Sequence, residues 1–201
     1  MERQIEVIRT HPDLGVVGCR WYEEEPGAAR TPSALHAFRY AGRCIRATGR
    51  EVFDLALAVC TDSLLIRRSA LAAERFDTDL ETAEDRDLWI RLFAANEVYL
   101  LPDLLVTYVQ VPGGISRTNV DRDCGCMLKV IHRYSGLLGP CGLREQEAIV
   151  YRRWAAEYLF QGEPKRALPH AFRRWRLQPL SLQAWWIVGK SAVLSLLRIR
   201  N

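Results

Sequence analysis

The sequence predicts an α/β domain followed by an α-helical region, and three observations carry that prediction. Residues 14–19, Leu-Gly-Val-Val-Gly-Cys, are a small, continuously apolar run of the kind buried on both faces of a parallel sheet. Residues 81–95 follow helical spacing, with Leu88, Trp89, Leu92 and Phe93 on one stripe, and a strand-like run over 98–108 comes directly after. From Arg122 onward the texture changes to helix upon helix, which sets two units at 1–120 and 121–201.

Residues 2–9 read as a short amphipathic helix with Ile5 and Ile8 on one side, stopped by Thr10-His11-Pro12-Asp13. A helix that opens an α/β domain has no preceding strand to cross over from, so the fold is entered partway through. After the strand over 14–19, residues 23–33 are acidic and rich in Pro and Gly, a loop or hairpin turn with strands on either side. Residues 51–59 have helical spacing at Val52, Leu55 and Ala56, with Val59 one turn on. Leu64-Leu65-Ile66 reads as a strand, Arg67-Arg68 as its exit, and Ser69 as the N-cap of a short helix through Glu74. Residues 76–80 are turn-like, which makes Asp77 and Asp79 turn residues rather than a metal pair. The helix over 81–95 carries Glu84, Asp85 and Asp87 in its first turn and Asn96 as its C-cap. Residues 98–108 read as a strand, a break at Pro102 and a second strand, ended by Pro112-Gly113-Gly114. The helical region is interrupted by Gly and Pro at 136–140 and 162–164.

The composition narrows the function classes. A chain of 201 residues and 23.0 kDa with 49% hydrophobic and 26% charged residues is globular, not disordered. At that mass folding removes roughly 70% of the unfolded surface from water, so the core needs no disulfide staple. The six cysteines include no C-x-x-C pair and no histidine at metal-ligand spacing; with no signal-peptide pattern at Met1, reduced thiols in the cytoplasm are expected. The net charge of +4 comes without a helix-turn-helix, zinc-finger or RNA-binding signature, which argues against a nucleic-acid partner. The arginines gather late, at Arg152-Arg153, Lys165-Arg166, Arg173-Arg174, Arg176, Arg198 and Arg200. Two readings stand: a solvated helical face, or contact with an anionic membrane surface. Residues 184–197 are the most apolar stretch, but Lys190 and two serines leave them short of the ~20 residues that span a bilayer. They fit a peripheral contact at the inner face of the membrane.

The three acids at the start of helix 81–95 also have two readings. Carboxylates there meet unpaired N–H groups and the positive end of the helix dipole, each stabilising by about 0.3–1 kcal/mol. Alternatively one projects into a cleft as a general base, within hydrogen-bond reach of a substrate hydroxyl.

Ser63-Leu-Leu-Ile-Arg-Arg-Ser-Ala-Leu71, Phe76-Asp-Thr-Asp-Leu80, Glu84-Asp-Arg-Asp-Leu-Trp-Ile-Arg-Leu92, Leu101-Pro-Asp-Leu-Leu-Val-Thr-Tyr108 and Pro112-Gly-Gly-Ile-Ser116 occur in this order. The ordered set resembles the second half of a family 2 glycosyltransferase, over roughly residues 1–118. The resemblance implies a GT-A fold and transfer of a sugar, of hexosyltransferase type, from a nucleotide-sugar donor to an acceptor hydroxyl with inversion. The acceptor would be a glycan, a lipid-linked sugar or a polysaccharide precursor. It places Asp85 as the catalytic base, with Glu84 orienting the site and Asp62 beside the substrate; Trp89 is either core or part of the acceptor wall. The chemistry is coherent, since inversion by direct displacement needs one carboxylate to take the acceptor proton.

The family's N-terminal half, with its nucleotide-binding units and metal-binding Asp-x-Asp motif, has no counterpart here. A divalent cation, Mg or Mn, is expected for the complete enzyme, and its main ligands are missing; Val111 also stands where many relatives carry a His. The expectation is a truncated GT-A fold that does not bind a nucleotide sugar by itself and that leaves a sheet edge exposed, with poor solubility. In the tail, around residues 148–195, Tyr151, Trp154, Ala155, Tyr158, Gly162, Ala167, Ala171 and Pro179 resemble a tetratricopeptide helix pair, restarting at Trp185 after 34 residues. Such a tail docks on the catalytic half, or recruits a partner or membrane. The rival to an enzyme is a non-catalytic helical interaction protein that keeps half of a transferase fold as scaffold.

Overall fold

The computed structural model describes residues 1–33, 40–111 and 119–197. Pro112-Gly113-Gly114 with Ser116, and Arg198 and Arg200, lie outside them. The chain divides into two compact units, Met1–Gly114 and Ile115–Asn201. The first is mixed α/β around a five-stranded mixed sheet; the described part of the second is helical.

Two long strands form the middle of the sheet. β1 (Leu14–Glu24) and β5 (Glu97–Val109) run parallel from Leu14↔Glu97 to Glu24↔Val109. β1 therefore continues well past residue 19, because its second half is paired although its side chains are only partly buried. On the other side of β1, β2 (Thr31–Pro32) closes the expected hairpin at Tyr22↔Pro32, and β4 (Leu64–Ile66) pairs antiparallel at Val16↔Ile66 to Gly18↔Leu64. β3 (Cys44–Ile45) pairs with β5 at Val98 and Tyr99. No periodicity in the sequence announces β3, since two residues cannot display one. Among the described residues β4 pairs with β1 alone.

The predicted break at Pro102 is instead a bulge inside one continuous strand. Cys19 opposes Leu101 while Arg20 opposes Leu104, so the ladder skips the proline that cannot donate to it. The helix α1 (Glu2–Thr10) covers this sheet with Val7 and Ile8, packed on Leu14, Val17, Cys19 and Leu101. Gln4 is buried on the same helix, its amide donating to Ser63 O at 2.9 Å and Val17 O at 3.3 Å. Arg67 pins the other end, Nη2 donating to Ile8 O at 2.6 Å and Nε to Leu14 O at 3.0 Å.

The helix expected over 51–59 is α2 (Arg50–Leu57), with Val52, Leu55 and Ala56 buried as the spacing requires, and Phe53 with them. The short helix α3 (Arg68–Leu71) starts before Ser69, which makes no cap, and ends at Ala72, whose φ of +44° breaks it short of Glu74. The acidic helix is α4 (Glu84–Ala95), three residues shorter at its start than its spacing predicts. Ala83 takes a left-handed φ of +61° and ends the helical run there, leaving Glu81 and Thr82 as bends. At the other end Asn96 caps as expected, backbone N–H and Nδ2 both donating to Leu92 O at 3.0 Å.

In the second unit, α5 (Val120–Arg133) is capped by Asn119, whose side chain accepts from Arg122 N–H. α6 (Ser135–Phe160) is kinked at Gly139, followed by Pro140, so the first predicted interruption is a bend between two helical pieces. The second is a turn at Gly162, φ +74°, after which α7 (Pro164–Leu177) starts on its proline. α8 (Leu182–Leu197) follows. Ala155, Ala171 and Ile187, one from each of α6, α7 and α8, form a core cluster where small side chains allow close approach. Tyr151 and Trp185, equivalent by the 34-residue spacing, sit differently: Tyr151 is half-buried and stacked on Trp154, while Trp185 is mostly exposed.

Candidate functional site

Asp85 is the second residue of α4, and its carboxylate is held from two directions. Thr61 Oγ1 donates to Oδ2 at 2.9 Å, and the Arg86 backbone N–H donates to Oδ1 at 2.7 Å. The second bond meets one of the amides that a helix start leaves without an intrahelical partner. The first ties the helix to the turn ahead of β4. That turn, Thr61–Ser63, is itself rigid: Ser63 N–H and Oγ both donate to Cys60 O, at 3.0 and 2.6 Å, and Ser63 O accepts from buried Gln4. A line of hydrogen bonds thus runs from α1 through the turn to Asp85. The Asp85 side chain keeps 28% of its surface exposed.

Arg86 fixes the neighbouring wall. Its Nη1 donates to Ala56 O at 2.7 Å and Val59 O at 2.8 Å, carbonyls at and just beyond the end of α2, and its Nε lies 4.0 Å from Asp85 Oδ1. The guanidinium therefore joins three segments: the end of α2, the start of α4 and the Asp85 carboxylate. Cys60 stands in the same neighbourhood; burial pushes its thiol up, the Asp62 N–H and Arg86 pull it down, and the Asp62 and Asp85 carboxylates add to the rise.

The other expected residues divide between this site and the core. Asp62 is exposed and follows Thr61 directly; Glu84 is partly buried and precedes Asp85. Trp89 is only 3% exposed, edge-on to Phe76 with centroids 6.4 Å apart and stacked on Phe93 at 6.5 Å, so of its two readings the structure places it in the core. Asp87, the third acid, is turned inward at 1% exposure and pairs with Arg91 at 3.0 Å; Arg91 in turn bonds Glu74 and donates to Arg75 O. Two positions along the helix, about 200° of rotation, thus separate a carboxylate that faces water from one that holds the fold. Asp77 accepts from Asp79 N–H at 2.9 Å, the local bond of a turn residue.

Thr61 and Arg86 were not among the residues expected at the site. A signal for each was present: Thr-Asp-Ser between a helix and a strand is a turn cluster, and an arginine in a helix first turn opposes the dipole and so needs another reason to be there.

No known protein family matches the chain, and no characterised protein matches it significantly. The chemistry is therefore read from the residues alone. The Asp85 carboxylate uses two of its acceptor positions on Thr61 and Arg86 N–H and keeps others toward solvent. A fixed, accessible carboxylate of this kind can take a proton from a hydroxyl placed against it. Among the described residues no three His, Cys, Asp or Glu side chains converge to hold a metal ion. The groups that bond or pair with the Asp85 carboxylate are a hydroxyl, a backbone amide and a guanidinium, the usual complement of a carboxylate.

Proposed function

We propose that the first unit is the acceptor side of an inverting glycosyltransferase of family 2 type, with Asp85 as the general base. The observation that carries this reading is the double anchoring of a solvent-facing Asp85 by Thr61 and Arg86 N–H. In the reaction, an Asp85 oxygen accepts the acceptor hydroxyl proton while the hydroxyl oxygen bonds to the anomeric carbon and the nucleotide diphosphate leaves from the opposite face. Asp62 and Glu84 flank that base and would orient the acceptor. The donor, a nucleotide sugar, and the divalent cation of the complete enzyme would be held by residues other than those described.

The test is sugar transfer from labelled nucleotide sugars to saccharide and lipid-linked acceptors in cells carrying Asp85→Asn in place of the natural gene. A base contributes on the order of 10²–10⁴-fold, so turnover falls by at least a hundredfold with protein level unchanged. Equal transfer by the variant sinks the assignment. A second reading, a non-catalytic interaction protein, is favoured by one observation, the exposed apolar side of α8; it predicts no change in transfer from any substitution at Asp85.

A further inference from the structure

Of the 28 basic residues, eight lie in residues 164–201, which contain none of the 24 acidic ones. That leaves 20 basic against 24 acidic residues in 1–163. The small net charge of +4 is thus the difference between an acidic body of −4 and a basic tail of +8.

Within that tail, α8 is built inside out. It turns Ala184, Ile187, Ser191 and Ser195 inward. The two hydroxyls are satisfied within the helix, Ser191 Oγ donating to Ile187 O at 2.8 Å and Ser195 Oγ to Ser191 O at 2.7 Å. The opposite side carries Leu182, Trp186, Val193, Leu196 and Leu197, with Trp185 on its flank, all exposed. A helix that faced water would show the reverse pattern. Lys190 borders the apolar side, its Nζ 4.9 Å from the centroid of the Trp186 ring. The same two residues line a groove of about 820 Å³ between α6 and α8, whose far wall holds Arg152 and the exposed ring of Phe160.

We infer that α8 lies in the surface of an anionic lipid membrane, its outward apolar side among the acyl chains and the basic tail on the headgroups. No helix among the described residues is long and apolar enough to cross a membrane, so the contact is in the plane of the interface. Tryptophan and lysine at the border of the apolar side suit the headgroup level. The absence of acidic residues over 38 positions complements a surface of uniform negative charge. A second copy of the chain would set one +8 tail against another, which opposes self-association through this side. The inference is independent of the catalytic reading of the first unit.

The test is co-sedimentation of the full chain with vesicles of phosphatidylcholine alone and with about one-third phosphatidylglycerol. The chain partitions to the anionic vesicles, more weakly at high salt, and little to the neutral ones. Trp186→Ser with Leu196→Ser lowers partitioning at least tenfold while helical circular dichroism is unchanged, because both positions are already exposed. Lys190→Glu lowers it by roughly fivefold or more. Lipids brominated in the acyl chains quench tryptophan emission of the natural chain and not of a Trp185→Phe, Trp186→Phe variant. Absence of binding, or equal binding by the Trp186→Ser, Leu196→Ser variant, overturns the inference. So does a dimer in sedimentation that this variant disperses, without vesicle binding, which would assign the side to a second copy.

Discussion

Thr61 and Asp85 lie 24 residues apart in the sequence, and the Thr61 hydroxyl donates to Asp85 Oδ2 at 2.9 Å. If Asp85 is the base, this bond positions it. Thr61→Val then lowers kcat about tenfold with KM little changed, Thr61→Ser restores it, and the denaturation midpoint moves by only about 1 kcal/mol equivalent. A purely structural Thr61 would move stability and leave the rate alone.

Asp85 and Asp87 should separate in stability measurements. Asp87→Ala leaves the Arg91 guanidinium with less than its native partners and opens a buried gap, a loss of roughly 3 kcal/mol. Asp85→Asn keeps shape and a hydrogen-bond acceptor, and should cost about 1 kcal/mol or less. Urea unfolding of the two variants side by side measures the difference; equal losses would place Asp85 with the structural residues.

Gly15 is required by close approach. A Cβ there would lie 2.7 Å from the Asn96 Cβ, where the cap of α4 meets the start of β1, and this contact is too near the backbone to be relieved by rotation. Gly15→Ala should destabilise the chain by about 1–3 kcal/mol, read from its urea midpoint.

The second unit should be acid-sensitive through one cluster. Asp121 Oδ1 accepts from the Trp154 indole N–H at 2.7 Å and from the Tyr158 hydroxyl, and Oδ2 pairs with Arg166 at 2.9 Å. Burial pushes this carboxyl up, but the bonds from Tyr158 and Trp154 and the charges of Arg166 and His170 outweigh it, so its pKa falls below the ordinary range. A carboxylate depressed on folding contributes stability that is complete above its unfolded pKa of about 3.9 and is lost as pH falls through the folded value. His170, stacked on Trp154 at 4.0 Å, is lowered chiefly by burial. Its contribution is complete above about pH 6.5 and is lost below. Tm against pH should therefore fall in two stages, one below about 6.5 that His170→Phe removes and one below about 4 that Asp121→Asn removes. A profile unchanged in both variants would contradict this assignment.

The sequence was most legible where the signal is local. The turn at Asp77 and Asp79, the cap at Asn96, the Gly162-to-Pro164 corner and the buried stripe of α4 all rest on chemistry within a few residues. It was least legible where a partner from elsewhere in the chain decides. Pro102 stays within β5 because β5 bulges there against an uninterrupted β1. β3 exists because β5 offers an edge. α4 begins at Glu84 because the backbone at Ala83 turns left-handed before it.

At the candidate site the division is sharper. Three acids in one helix start could be read from the sequence, and so could the two roles open to them. Which acid took which role depended on rotation: consecutive helical positions point about 100° apart, so Asp87 faces Arg91 and the core while Asp85 faces Thr61 and water. In the tail the sequence by itself determined an apolar helix in a basic, acid-free stretch. Only the tertiary structure decided that Ala184, Ile187 and the two serines pack inward while Leu182, Trp186, Val193, Leu196 and Leu197 face out. The reason is packing, since Ile187 fills the space left by the small Ala155 and Ala171, and the rotation of α8 that places it there turns Trp186, Val193 and Leu196 outward.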